Sequence, residues 1–122
     1  MATQNLMALA LTNVTATTNG HDLENLGGRF AHVVINITAI TGTAPTATFT
    51  VQGKDAISGS YYTILASTAL NTAATTVLRI GPGLTAAANL VANDVIPKTF
   101  RVIMTAGGTI TDLDATVGVS LV

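Results

Sequence analysis

Apolar and polar residues alternate along much of the chain with a period of two. That is the spacing of a strand with one face on a core and the other on solvent. In Ala47-Thr48-Phe49-Thr50-Val51-Gln52 the apolar side chains fall at every second position. Residues 31–37 repeat the pattern, with Val33, Ile35 and Ile37 inward and His32, Val34 and Asn36 opposite. Residues 99–104 direct Phe100, Val102 and Met104 inward, and residues 115–122 set Val117, Val119 and Leu121 against Thr116, Gly118 and Ser120. Weaker strands are predicted at 62–66, 76–80 and about 6–12. The recurrence of Thr, Val and Ile agrees, because branching at Cβ suits a pleated sheet better than a helix.

Turn residues punctuate these runs. Lys54-Asp55 leads into Ser58-Gly59-Ser60, so the segments around Val51 and Ile64 are expected to form a hairpin. Gly107-Gly108 predicts a tight hairpin turn, since glycine tolerates the positive φ such turns require. Gly81-Pro82-Gly83 closes the 76–80 strand, because proline cannot donate to a ladder. Residues 85–92 are alanine-rich between turn signals and predict a structured loop with one helical turn, capped by Thr85. Residues 12–28 carry polar turn chemistry without a long apolar face and are expected to be the least ordered.

Together these features predict an all-β fold. The expected form is a single-domain β-sandwich, Ig-like or jelly-roll-like, of about seven or eight short antiparallel strands. A chain of 122 residues suits one domain and buries a core without disulfides or metals. Residues 1–28 are read as an N-terminal segment holding one strand, a candidate docking arm from Ala2 to Thr18, and residues 29–122 as the sandwich.

Composition changes the picture in one respect. Only 9% of the residues are charged, against about 25% in an average soluble domain. A surface built of Thr, Ser, Asn and Gly suits a protein packed against neighbours, because solubility usually rests on charge. Arg29, Lys54, Arg79, Lys98 and Arg101 are scattered, so no basic face for nucleic acid is expected. No uninterrupted apolar run is long enough for a transmembrane helix, and the first residues lack the basic region of a signal peptide. Synthesis in a cytoplasm is expected.

Candidate chemistry is sparse. His21-Asp22-Leu23-Glu24 is the densest ionisable cluster, but a metal site wants three or four ligands, and a polar turn is the better reading. Asp112 and Asp114 lie on one strand face and can converge on a cation, yet no dense acidic loop surrounds them; they read better as guards of a hairpin or an edge strand. Ser58, Ser60, Ser67 and Ser120 have no local base, and the absence of cysteine excludes thiol chemistry. No enzyme activity, cofactor or metal is expected. The phenylalanines Phe30, Phe49 and Phe100 are assigned to the core, and Tyr61-Tyr62 points one ring to each face.

The run Thr48-Phe49-Thr50-Val51-Gln52-Gly53-Lys54-Asp55, followed by Ser58-Gly59-Ser60-Tyr61-Tyr62-Thr63-Ile64-Leu65, resembles a pattern of small accessory virion proteins of tailed bacteriophages. So do Arg79-Ile80-Gly81-Pro82-Gly83-Leu84 and Asn93-Asp94-Val95-Ile96-Pro97-Lys98-Thr99-Phe100-Arg101-Val102. These stretches carry no catalytic residue. The resemblance implies a capsid decoration (cement) protein on the outer capsid surface of the virion, clamping the major capsid protein or other virion subunits. It also implies a homo-oligomer, with a trimer as one form. The interface candidates are Leu6, Leu9 and Leu11 of the arm, Tyr61, and Leu84, Leu90 and Val91 of the 81–97 loop. The alternatives are a tail, neck or fibre-associated virion protein and a carbohydrate or host-surface binding module.

Overall fold

A computed structural model describes residues 3–122. Met1 and Ala2, where the expected arm begins, lie outside the described residues. The chain is all-β, with eight strands and no helix among the described residues. They are β1 (Gln4–Leu11), β2 (Thr18–Asn19), β3 (Leu23–Glu24), β4 (Ala31–Lys54), β5 (Tyr61–Ala66), β6 (Ala74–Ile80), β7 (Val91–Ala92) and β8 (Thr99–Leu121).

The strands are not all short. β4 has 24 residues and β8 has 23, and the two pair antiparallel from Ala31 opposite Leu121 to Gly53 opposite Phe100. The alternating runs 31–37 and 47–52 are therefore two halves of one strand, as are 99–104 and 115–121. Gly107-Gly108 is no hairpin turn, because the ladder runs through it. Gly108, at φ 62°, and Gly42, at φ 146°, instead sit where the register shifts, together with Ala44 at φ 47°. Backbone in the left-handed region inserts bulges that bend a ladder without ending it.

The flanking strands follow the same course. On one side of β8 come β1 against its second half, then β2 and β3 against its first, with Val14 N donating to Leu113 O at 3.1 Å between them. On the far side of β4, β5 pairs with its second half and β6 with its first, bridged by Ala47 opposite Leu70. The N-terminal segment is thus part of the sheet. The expected boundary at residue 28 is corrected, because residues 4–24 run along β8 and bury Ala8, Leu9, Leu11 and Leu23.

A straight run from residue 4 to residue 24 would span about 65 Å. Instead Gln4 Nε2 donates to Glu24 O at 2.7 Å, and Leu26 N donates to Gln4 Oε1 at 3.1 Å. The sheet is folded over at its middle into a two-layer sandwich. The inward residues of both halves, among them Val33, Ile35 and Val117 from one and Phe49, Phe100 and Val102 from the other, form a single core. Each half covers the other, which is why residues so far apart along one strand are equally buried.

Two connections depart from expectation. Residues 87–91 form one tight turn in which Val91 N donates to Ala87 O at 2.9 Å, but Asn89 at φ 62° and the antiparallel bridge of Ala87 with Val91 turn the chain back, so no regular helical turn forms. They lead into β7, which pairs with β6 in parallel, the one departure from antiparallel pairing among the described strands. Buried Ser67 takes over where β5 ends: its Oγ accepts from Phe49 N at 3.0 Å and donates to Thr68 O at 2.8 Å.

Candidate binding surfaces

Folding the sheet over leaves a bent end, near residues 42–46, and an open end where the strands start and finish. The loops 25–30 and 55–60 and residues 93–98 lie at the open end. Two surfaces lie there, one charged and one apolar.

The charged surface lies on the outer face of the β5 layer, because Gln52, Lys54 and Arg101 alternate with the inward Val51 and Phe100. Asp22 Oδ2 is 3.0 Å from Lys54 Nζ, and Tyr61 OH donates to Asp22 Oδ1 at 2.6 Å. The Arg101 guanidinium lies 3.5 Å from the centre of the Tyr61 ring, a cation–π contact, and its Nε donates to Gln52 Oε1 at 2.9 Å. The Tyr61 hydrogen bond, then the Lys54 ammonium, holds the Asp22 carboxyl below its usual range; Asp22 in turn raises Lys54. A groove of about 520 Å³ runs beside this cluster between Asp22, Glu24, Lys54 and Lys98. A carboxylate kept ionised and already paired with a cation is poorly placed to give or take a proton near neutrality.

The apolar surface is built by a turn. Asn25 Oδ1 accepts from Gly28 N at 2.7 Å, and its Nδ2 donates to Gly28 O at 2.9 Å and Ile96 O at 3.0 Å. Gly27 takes the positive φ, 107°, that closes this Asx-type turn. The result lifts Leu26 into solvent with 73% of its surface exposed. Beyond the turn, Phe30 N donates to Val122 O at 3.1 Å, extending the β4–β8 ladder past both strands. Phe30 does not enter the core as expected: it lies outside the folded layers and its ring packs on Gly81, where no room remains for a Cβ, beside Leu84. Leu26, Phe30, Leu121 and Val122 line a groove of about 620 Å³.

Of the exposed large apolar side chains among the described residues, Leu26, Phe30, Ile57, Val95 and Val122 belong to the segments at this open end, and Tyr62 and Leu90 lie one residue along the strands from it. Exposed apolar residues scattered singly are ordinary, whereas a concentration at one end marks an interaction surface.

No family model and no curated protein matches this chain. The residues themselves must therefore carry the functional reading. Among the interface candidates from sequence, Leu9 and Leu11 are buried and Leu6 is half-buried against the core, so β1 is a strand of the sheet and not a detached arm. Tyr61 is engaged in the charged cluster. Leu84 is half-buried beside Phe30, Leu90 is exposed at the β6 edge, and Val91 belongs to β7. Leu26, Phe30 and Val122 were missed; a leucine set between Asn25 and Gly27-Gly28 was the available signal.

The remaining candidate chemistry disperses. Glu24 lies 3.9 Å from Lys98, so both carboxylates of the 21–24 cluster face cations. Asp114 Oδ1 accepts from Asn13 N at 2.8 Å near the bend, while Asp112 Oδ1 is buried without a hydrogen-bond partner. Among the described residues no three His, Asp or Glu side chains gather into a metal-holding group.

Proposed function

We propose that this chain is a structural component of a bacteriophage virion, a capsid decoration protein that docks on the outer capsid lattice through the open end of its sandwich. The observation that carries the reading is the gathering of Leu26, Phe30, Ile57, Val95 and Val122 at that one end. The scarcity of charge supports it, since a surface with 9% charged residues is suited to contact with other subunits. The chain would bind the major capsid protein without catalysing a reaction. Its contribution to shell stability would come from apolar burial repeated at each lattice position, so that modest contacts sum to high avidity.

The aromatic anchors of such a surface are expected to dominate its energetics, with Phe30 foremost. The Tyr61 ring is stacked by Arg101 and so is not a free platform for a sugar, which counts against carbohydrate binding by that ring. The test is co-sedimentation of the purified chain with capsids that lack it. Wild-type chain is expected to pellet with the capsids and Phe30→Ser to stay in the supernatant. Equal pelleting of both would refute docking by this end.

A further inference from the structure

We infer that the free edge of β1 pairs with β1 of a second copy of this chain, giving a two-fold dimer whose sheet continues across both molecules. The two sides of the sandwich are unequal. Over the β5–β6 side the 81–97 loop is draped: Arg79 N donates to Leu90 O at 2.9 Å, Gly81 N to Ala92 O at 3.1 Å, and Asn89 Nδ2 to Ala66 O at 3.0 Å. β1 has no such cover. It pairs with β8 alone, and among the described residues its backbone makes no hydrogen bond outside that ladder. Its sequence, Gln4 to Leu11, contains no charge and no proline, the usual guards of an edge strand.

The strand is also self-complementary. Before the bulge at Ala8, Gln4, Leu6 and Ala8 face the layer below while Asn5 and Met7 face solvent. An antiparallel pair centred on Leu6 places Leu6 opposite its own copy, Gln4 opposite Ala8 and Asn5 opposite Met7. Every inward residue then meets an inward residue, which is what register requires. No like charges are brought together, because there are none. A β1–β1 contact uses the same edge on both copies, so it is isologous and closes at two. The bulge at Ala8 stops the pairing from spreading along the rest of the strand. This inference does not depend on the capsid role.

The experiment is sedimentation equilibrium of the full chain over a wide concentration range, with hydrogen exchange of the β1 amides at both extremes. Wild-type chain is expected to dimerise reversibly, with outward β1 amides gaining protection as concentration rises. Met7→Lys puts a charge on an exposed edge position without touching the core and should weaken the dimer roughly tenfold or more. Val95→Lys, an equally exposed change at the open end, should leave it unaltered. A monomer at every concentration, a trimer, a dimer whose β1 amides stay unprotected, or greater sensitivity to Val95→Lys than to Met7→Lys would overturn the inference.

Discussion

Phe30 and Val122 face each other across a ladder that outlasts the strands containing it: Val122 N donates to Phe30 O at 2.9 Å and Phe30 N to Val122 O at 3.1 Å. Two apolar residues with 44% of their surface exposed are thereby held on rigid backbone and not on a mobile tail. A preorganised apolar pair costs little ordering entropy on docking, and this end of the molecule is where binding and stability should come apart.

Leu26→Ser is expected to change stability by no more than about 0.5 kcal/mol, since the side chain projects into solvent. Phe30→Ser forfeits packing on Gly81 and is expected to cost about 1 kcal/mol. Capsid binding should fall steeply in both. Denaturant titration beside co-sedimentation separates the two effects.

β1 should behave in the opposite way. Leu9 and Leu11 are buried in the common core, so replacing either by alanine is expected to cost about 2–5 kcal/mol. Removing residues 3–11 strips a whole strand from β8 and should leave a chain without a cooperative transition. Thermal unfolding followed by circular dichroism distinguishes this from a dispensable arm, whose loss would leave the midpoint unchanged.

Ser67 is a structural serine. Its hydroxyl supplies the partner that Phe49 N would otherwise lack in the gap between β5 and β6. Ser67→Ala strands a buried donor and is expected to cost about 1–3 kcal/mol, whereas Ser58→Ala, at the exposed 55–60 loop, should leave the folded core unaffected. Chemical denaturation of both variants provides the comparison.

The Asp22–Lys54–Tyr61 cluster gives stability a pH dependence at both extremes. The Asp22 pKa is depressed below its ordinary 3.8, so its contribution is present above that value and lost as pH falls through the folded pKa. Lys54 is raised above its ordinary 10.5, so its contribution is present below that value and lost as pH rises through the folded pKa. Asp55, lowered chiefly by the Ser58 hydroxyl, adds to the acid limb alone. Asp22→Asn should therefore remove the larger part of the alkaline limb, leaving what Tyr61 contributes to Lys54, and only part of the acid limb. The thermal midpoint measured across pH for both proteins checks this; the effect is small because the groups are exposed and screened by solvent.

Alternation made the strands and their inward faces legible in sequence: Val33, Ile35, Phe49, Val51, Phe100, Val102 and Val117 are all buried where the pattern placed them. It did not reveal that 31–37 continues into 47–52. Gly42, Ala44 and Gly108 carry the same positive-φ signature in a bulge as in a hairpin turn, and period two says nothing about which of the two follows. The apolar end was hidden for a different reason. Alternation assigns Phe30 inward, but it precedes the strand and its ring packs on Gly81, fifty-one positions away. The stacking of Arg101 on Tyr61 likewise joins residues brought together only by the cross-strand register of β4 with β5 and β8.

The central claim is that the chain occupies a capsid lattice with its open end against the shell, and a cryo-EM reconstruction of particles with and without it tests this most directly. The expected result is difference density at repeated positions on the outer capsid surface, oriented so that Leu26, Phe30 and Val122 contact the shell and the bend near Gly42 points outward. Density confined to the tail or neck, or capsid density with the bend against the shell, would contradict it.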